Sequence, residues 1–263
     1  MRLIDTHCHL CHGRLRPHVD AVLDRARAAG VEAVICAAAD LQESAAALAL
    51  ARERPDVACL AGVHPHDAKD APADYLARLD RLCGEPRNVA LGEIGLDYHY
   101  NYSPPEAQRR VFAEQLALAR RLGKRVVMHT REAFDDTLAI LVESGLPGQD
   151  VVFHSFTEGP AGAARALDLG ATISFSGIVT FAGAADLRRA AALVPDDRLL
   201  IETDAPFLSP EPVRKMKTNE PANVAHVAAC LAGARGTTPQ RIAEQTAANA
   251  VRFFGLDSRR TGG

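Results

Sequence analysis

No stretch of about 18 uncharged apolar residues occurs in the 263-residue sequence, which excludes a helical membrane span. The opening residues Met1-Arg2-Leu3-Ile4-Asp5-Thr6-His7 contain neither an apolar leader core nor a cleavage site, so a cytoplasmic location is expected. An excess of one charge is also missing. With a net charge of -3 and a pI near 6.4, the chain has no global attraction to polyanions, and a nucleic-acid substrate would need a local basic patch. Six cysteines, at 8, 11, 36, 59, 83 and 230, are scattered through a chain too large to depend on disulfides, and they read as free thiols. Cys8 and Cys11 form a C-x2-C, but no second pair follows to complete a structural zinc site, so both read as bystanders. Ser/Gly-rich linkers and shifts of composition are absent too, which argues for a single domain over 1–263.

What is present is alternation. Short β-branched runs at 2–6, 32–36, 57–62, 88–93, 125–129, 150–154, 171–175 and 198–203 predict strands. Helix-patterned segments lie between and after them, at about 19–29, 41–53, 73–83, 105–122, 132–143, 160–169, 183–193 and 221–233. Eight strand-helix units in succession predict an α/β fold, a (β/α)8 TIM barrel. Gly30, Gly123 and Gly170 fall where helices should stop, and Pro104-Pro105 suits a helix start. A last segment, 238–255, reads as an extra helix closing the bottom or side of the barrel.

In such a barrel the active groups come from the C-terminal strand ends and the loops after them. Of ten histidines, seven lie at or just beyond predicted strand ends: His7, His9, His64, His66, His99, His129 and His154. Glu93 ends the fourth strand and Asp204 follows the eighth. Closure would bring these distant positions around one mouth, and imidazoles and carboxylates converging in one pocket are a divalent-metal ligand set. His7 and His9 are two apart on a strand and therefore share a face.

One ion cannot easily use six ligands, so two are expected. His7, His9, Glu93 and Asp204 are assigned to the first, and Glu93, His129 and His154 to the second, with Glu93 as the bridge. Two catalytic roles follow. Glu93 joins the ions, and Asp204 orients the attacking water or takes its proton. Zn2+, Mn2+ and Mg2+ all remain open, although four imidazoles favour zinc or manganese.

The strings DTHCH (5–9), GVHPH (62–66), GEIGLDYHY (92–100), HTREA (129–133), SFSGIVTF (174–181), ETDAPFLSP (202–210) and NEPANV (219–224) resemble the TatD-type deoxyribonuclease family, in order and over nearly the whole chain. The resemblance implies a TIM barrel, a two-metal centre on the six ligands already chosen, and hydrolysis of DNA phosphodiester bonds. Two departures occur. The chain reads His154-Ser155-Phe156-Thr157-Glu158 where many relatives have H-C-F-S-G, and Met216-Lys217-Thr218 where many have Gly-Lys-Arg. The ligands are kept, and the substrate-contacting edge differs.

With that substrate class in view, Tyr98 and Tyr100 are candidates for stacking on bases. Arg131, Arg214 and Lys217 are candidates for phosphate contacts, and His64 for a substrate oxygen, while His66 is expected to face solvent. Without a long basic stripe to track a duplex, the substrate expected is single-stranded DNA or frayed ends, cut in a 3'-5' exonuclease-like manner. No obligate protein partner and no membrane is expected. Two rivals share the fold. A small-molecule amidohydrolase or phosphoesterase would use the same metals, but many such enzymes bridge them with a modified lysine where this chain has Glu93. A non-catalytic scaffold would have lost ligands, and all six are present.

Overall fold

The computed structural model describes residues 1–256. Eight strands lie side by side in chain order: β1 (Leu3–Cys8), β2 (Val31–Cys36), β3 (Val57–Ala61), β4 (Asn88–Asp97), β5 (Val126–Arg131), β6 (Val151–Phe153), β7 (Thr172–Phe175) and β8 (Leu199–Ile201). All seven neighbouring pairs are parallel. Closure occurs between β1 and the chain just after β8. Cys8 bridges Ala205, the Asp204 amide donates to the His7 carbonyl at 2.9 Å, and the His9 amide donates to the Ala205 carbonyl at 2.7 Å. The backbone bonds that close the barrel therefore also fix three candidate ligands.

Each strand is followed by a helix: α1 (Val19–Ala28), α2 (Leu41–Glu53), α3 (Tyr75–Cys83), α4 (Pro105–Leu122), α5 (Phe134–Ser144), α6 (Pro160–Asp168), α7 (Ala185–Leu193) and α8 (Val224–Ala234). The local chemistry explains several of their ends. Asp40 caps α2 by accepting from the Glu43 amide at 2.7 Å, and Glu43 Oε2 returns the contact to the Ala39 amide at 3.1 Å. Proline opens α4, and Gly123 ends it with φ 61°, a conformation that costs glycine nothing. The last barrel helix starts later than its apolar pattern predicts, because residues 221–223 form a tighter 3-10 turn first. Among the described residues no helix is long and apolar enough to cross a membrane.

The final helix, α9 (Pro239–Phe254), seals the bottom of the barrel. Ile4, Ile35, Leu60, Val127, Val152 and Leu200 line the lower interior, and α9 inserts Ala247, Ala250, Phe253 and Phe254 among them. Polar contacts fix its seat, since buried Asn249 donates to the Leu199 and Asp196 carbonyls at 2.9 and 2.7 Å. A second, larger apolar layer lies between the strands and the outer helices. With the lower end plugged, the only end of the strands left for polar groups is the C-terminal mouth.

Three strands, β1, β4 and β5, run further than their sequence predicts. β4 continues four residues past Glu93, and β5 continues through Arg131, so Glu93 and His129 lie within strands rather than at their ends. β4 can do so because it carries an irregularity: Leu91 pairs with Val126 but Ile94 with Met128, three residues against two. Such a bulge re-aims the residue within it. Gly95 then allows close approach to β5: its φ is +145°, and a Cβ there would meet the His129 carbonyl oxygen at 1.9 Å.

Candidate metal centre

Glu93 is buried at the middle of the mouth, and its two oxygens face different partners. Oε2 lies 3.1 Å from His7 Nε2 and 3.5 Å from His9 Nε2. Asp204 Oδ1 completes that side, 3.5 Å from His9 and 4.0 Å from His7. Oε1 lies 3.0 Å from His129 Nδ1 and 2.8 Å from His154 Nε2, which are 3.4 Å from one another. All six candidate ligands thus converge around Glu93, and the groups close enough to hold an ion among the described residues are His7, His9 and Asp204; His7, His154 and Glu202; and His64, Glu93 and His129.

Protons decide what the Oε1 side can hold. His129 Nε2 donates to Asp97 Oδ2 at 3.1 Å, leaving a lone pair on Nδ1. His154 Nδ1 donates to Glu202 Oε1 at 3.0 Å, leaving a lone pair on Nε2. With one proton on each ring, both lone pairs face the same ionised Glu93 oxygen, which has no proton to donate. Three acceptors facing one another repel unless a cation lies between them, so this donor set fits a divalent metal. The Oε2 side has the same chemistry, with two imidazole nitrogens 3.3 Å apart beside two carboxylates. His7 is the less anchored ring: its Nδ1 is buried without a hydrogen-bond partner among the described residues, and it stacks on His154 at 3.9 Å.

The electrostatics agree. Burial pushes the Glu93 carboxyl up, but His154, His64 and His7 outweigh it and hold the group well below the usual carboxylate range. Burial disfavours a charged His154, yet Glu93 and Glu202 raise it well above an ordinary imidazole, so a second proton and a metal ion compete for the same Nε2 lone pair. Burial likewise opposes Asp204, and the hydrogen bond from His9 with the nearby imidazoles brings it below its ordinary value. The centre therefore attracts positive charge and keeps its acids ionised.

His64 faces the same carboxylate, with Nε2 3.3 Å from Glu93 Oε1. Its Nδ1 accepts from the His66 amide at 3.1 Å, so Nε2 carries the proton and is a donor rather than a lone pair. Burial lowers its pKa to about 4, which keeps the ring neutral. His66 does not simply face solvent as expected. It is half-buried, hydrogen-bonded through Nε2 to Asp97 Oδ2 at 3.0 Å, because Asp97 needs a second donor on that oxygen.

The aromatic loop divides. Tyr98 turns down onto the outer helices, donating to Asp136 at 2.7 Å under the Arg109 guanidinium, and so is tied away from the mouth. Tyr100 remains exposed, stacked on Tyr102 at 5.3 Å with Arg131 4.7 Å from its ring centroid. Arg214 lies on the Phe181 ring at 3.7 Å, and Lys217 is exposed on the same loop. Cys8 is buried in the outer apolar layer and Cys11 only partly exposed, and neither belongs to the clusters able to hold a metal among the described residues.

Two residues of the centre were not singled out from the sequence: Asp97 and Glu202, both buried, which orient His129 and His154. A signal existed for each. Asp97 is four residues after Glu93 and Glu202 two before Asp204, even spacings that place a side chain on the ligand's face of an extended chain. Buried Asp5 does related work on the backbone, accepting from the Thr203 amide at 2.9 Å and the His7 amide at 3.3 Å. Burial raises its pKa to about 8 against those hydrogen bonds.

Comparison with known proteins agrees with this geometry. Residues 4–255 match the family described as TatD related DNase. The uncharacterized metal-dependent hydrolase YcfH of Escherichia coli K12 is 43% identical over 263 residues, covering 99% of this chain and 98% of YcfH. The 3'-5' ssDNA/RNA exonuclease TatD of Klebsiella pneumoniae is 38% identical over 244 residues, 90% of this chain and 92% of its own. Among solved structures, the TatD homolog YJJV of Escherichia coli K12 superposes with a TM-score of 0.91 at 31% identity, covering 97% of this chain and 99% of that one. The chain belongs to the TatD-related DNase family of metal-dependent hydrolases.

Proposed function

We propose that this protein is a two-metal deoxyribonuclease, cutting phosphodiester bonds of single-stranded DNA or frayed ends in a 3'-5' exonuclease-like manner. The observation that carries the reading is Glu93, whose two oxygens face two separate sets of acceptor atoms. His7, His9, Glu93 and Asp204 would hold one ion and Glu93, His129 and His154 the other, with zinc, manganese or magnesium as the occupant. A bound divalent pair supplies Lewis acidity to a phosphoryl oxygen and brings the pKa of a water toward ~7.

The side chains do the rest. Asp204, ionised and left partly open to the mouth, accepts the proton of the attacking water. His64, neutral with its proton on Nε2, donates to a nonbridging phosphate oxygen as charge develops there. Asp97 and Glu202 fix the tautomers of His129 and His154, so that no proton transfer is lost to those rings. Arg131 meets a phosphate and Tyr100 a base, and Arg214 and Lys217 meet the strand further out. The exonuclease named among the relatives supports the nucleic-acid substrate.

The test is hydrolysis of end-labelled single-stranded DNA, and RNA of the same sequence, by metal-stripped protein with Mg2+, Mn2+ or Zn2+ restored. Cleavage into mononucleotides that Glu93→Ala lacks is the expected result. Tight metal binding with no cleavage under any ion would refute the nuclease and leave a small-molecule amidohydrolase or phosphoesterase.

A further inference from the structure

Large apolar side chains are exposed at seven described positions, and four of them, Tyr100, Tyr102, Phe207 and Met216, lie on the loops after β4 and β8. Those loops leave the barrel on opposite sides of the mouth, since β4 and β8 are half a turn apart in an eight-strand ring. The Tyr100 side belongs to the reading above. On the other side Arg214 and Lys217 already have a role in it, and Phe207 has none.

Phe207 is 38% exposed, yet its backbone is held firmly. Its amide donates to the Asp204 carbonyl at 3.0 Å, and buried Asn219 Nδ2 donates to the Phe207 carbonyl at 2.7 Å and the Thr203 carbonyl at 3.1 Å. The ring stands next to the centre, 6.0 Å from the His9 ring and 5.3 Å from that of His12. The Arg14 guanidinium lies 5.6 Å from its centroid, and Arg14 is paired with no carboxylate among the described residues. The same combination stands across the mouth, where Arg131 lies over Tyr100 and is likewise unpaired. An exposed ring on a held backbone, with an unneutralised guanidinium over it 5.6 Å from the centroid, sets a stacking surface and an anion contact next to one another. Because the backbone beneath the ring is already held, stacking on it costs little ordering.

We infer that Phe207, flanked by Arg14 and His12, is a second nucleobase platform, and that the substrate strand straddles the centre with one base on Phe207 and the other on Tyr100. The scissile phosphate then lies between the platforms, over Glu93. Arg14 and Arg131 meet the phosphates on either side. The inference rests on the nuclease reading and adds to it that a base is bound on each side of the bond cut.

The experiment uses metal-loaded enzyme and end-labelled single-stranded oligonucleotides. One is intact, and in two others a tetrahydrofuran abasic unit replaces the base on one or the other side of the scissile bond. Phe207→Leu should raise KM about tenfold on the intact strand with much less change in kcat, and Phe207→Tyr should restore it. The defect should vanish on one abasic substrate and persist on the other, with Tyr100→Leu showing the reverse pattern. A Phe207→Leu enzyme equal to wild type on the intact strand, or impaired by the same factor on all three, overturns the platform while leaving the nuclease standing. A wild-type enzyme that cuts none of them overturns both.

Discussion

Replacing Asp97 by asparagine changes one atom and should cost the protein much of its metal affinity. Asp97 Oδ1 accepts from the His99 and Tyr100 amides at 3.0 and 2.9 Å, and Oδ2 accepts from His66 and His129 at 3.0 and 3.1 Å. The backbone donors cannot be reversed, so the asparagine must keep its carbonyl on them and turn its NH2 toward the imidazoles. His129 can answer only by accepting at Nε2, which moves its proton to Nδ1, the atom 3.0 Å from Glu93. The lone pair a cation needs is then gone. Loss of such an orienting carboxylate typically weakens metal binding by about 10–100-fold, or roughly 1.4–2.7 kcal/mol. Glu202→Gln supplies the contrast. Glu202 Oε1 accepts from His154 and the Ser155 amide, but Oε2 meets only the Ser174 hydroxyl, at 2.5 Å. A hydroxyl can rotate and accept from the glutamine NH2 instead, so His154 keeps its tautomer and the loss should be under about fivefold. Chelator-competition titration of both variants, with circular dichroism to verify the fold, measures the difference. Wild-type affinity in Asp97→Asn, or equal losses in the two variants, would refute the tautomer argument.

Other outcomes follow from the same geometry. Glu93→Ala should abolish turnover by stripping both metal sites of a shared ligand, whereas Lys217→Ala should raise KM and reduce the salt dependence of DNA binding by about 0.7 in log-log slope. Equal, mild losses of kcat/KM in both would argue against the two-metal assignment. Gly95→Ala drives a methyl into the His129 carbonyl, and thermal melts should show a loss of several kcal/mol (on the order of 3) together with lost metal binding. Phe254→Ala, far from the mouth, should cost about 3 kcal/mol in denaturant titration while kcat of the folded fraction is unchanged. Metal added to stripped protein should raise the melting temperature in proportion to the logarithm of its concentration above Kd, an effect that Asp97→Asn should displace to higher concentration.

How much of this was legible beforehand depends on how local each signal is. The alternation of β-branched runs with amphipathic segments is repeated eight times, and each unit reports its own class, so the barrel could be read in order. The candidate ligands were legible for a related reason: a barrel collects strand ends at one mouth, and His7, His9, His154 and Asp204 stand at or just beyond such ends. The length of β4 was not legible, because what carries it past Glu93 is pairing with β5 across a bulge, a contact between residues more than thirty positions apart. Tyr98 and His66 were misplaced for a similar reason. Their partners, Asp136 and Asp97, lie on other elements, and nothing next to them in the chain announces the contact.

The sequence by itself therefore determined the fold class, the donor types and the strand ends from which they come, since hydrophobic period and residue chemistry are properties of short segments. The tertiary structure decided which acids face each histidine, and which of several exposed rings stands beside the centre. Those choices depend on hydrogen bonds between β4, β5, β6 and the end of β8, and on the Asn219 anchor beneath Phe207. Both nitrogens of His129 and of His154 have a carboxylate oxygen at about 3 Å, and only closure of the barrel puts those acids there.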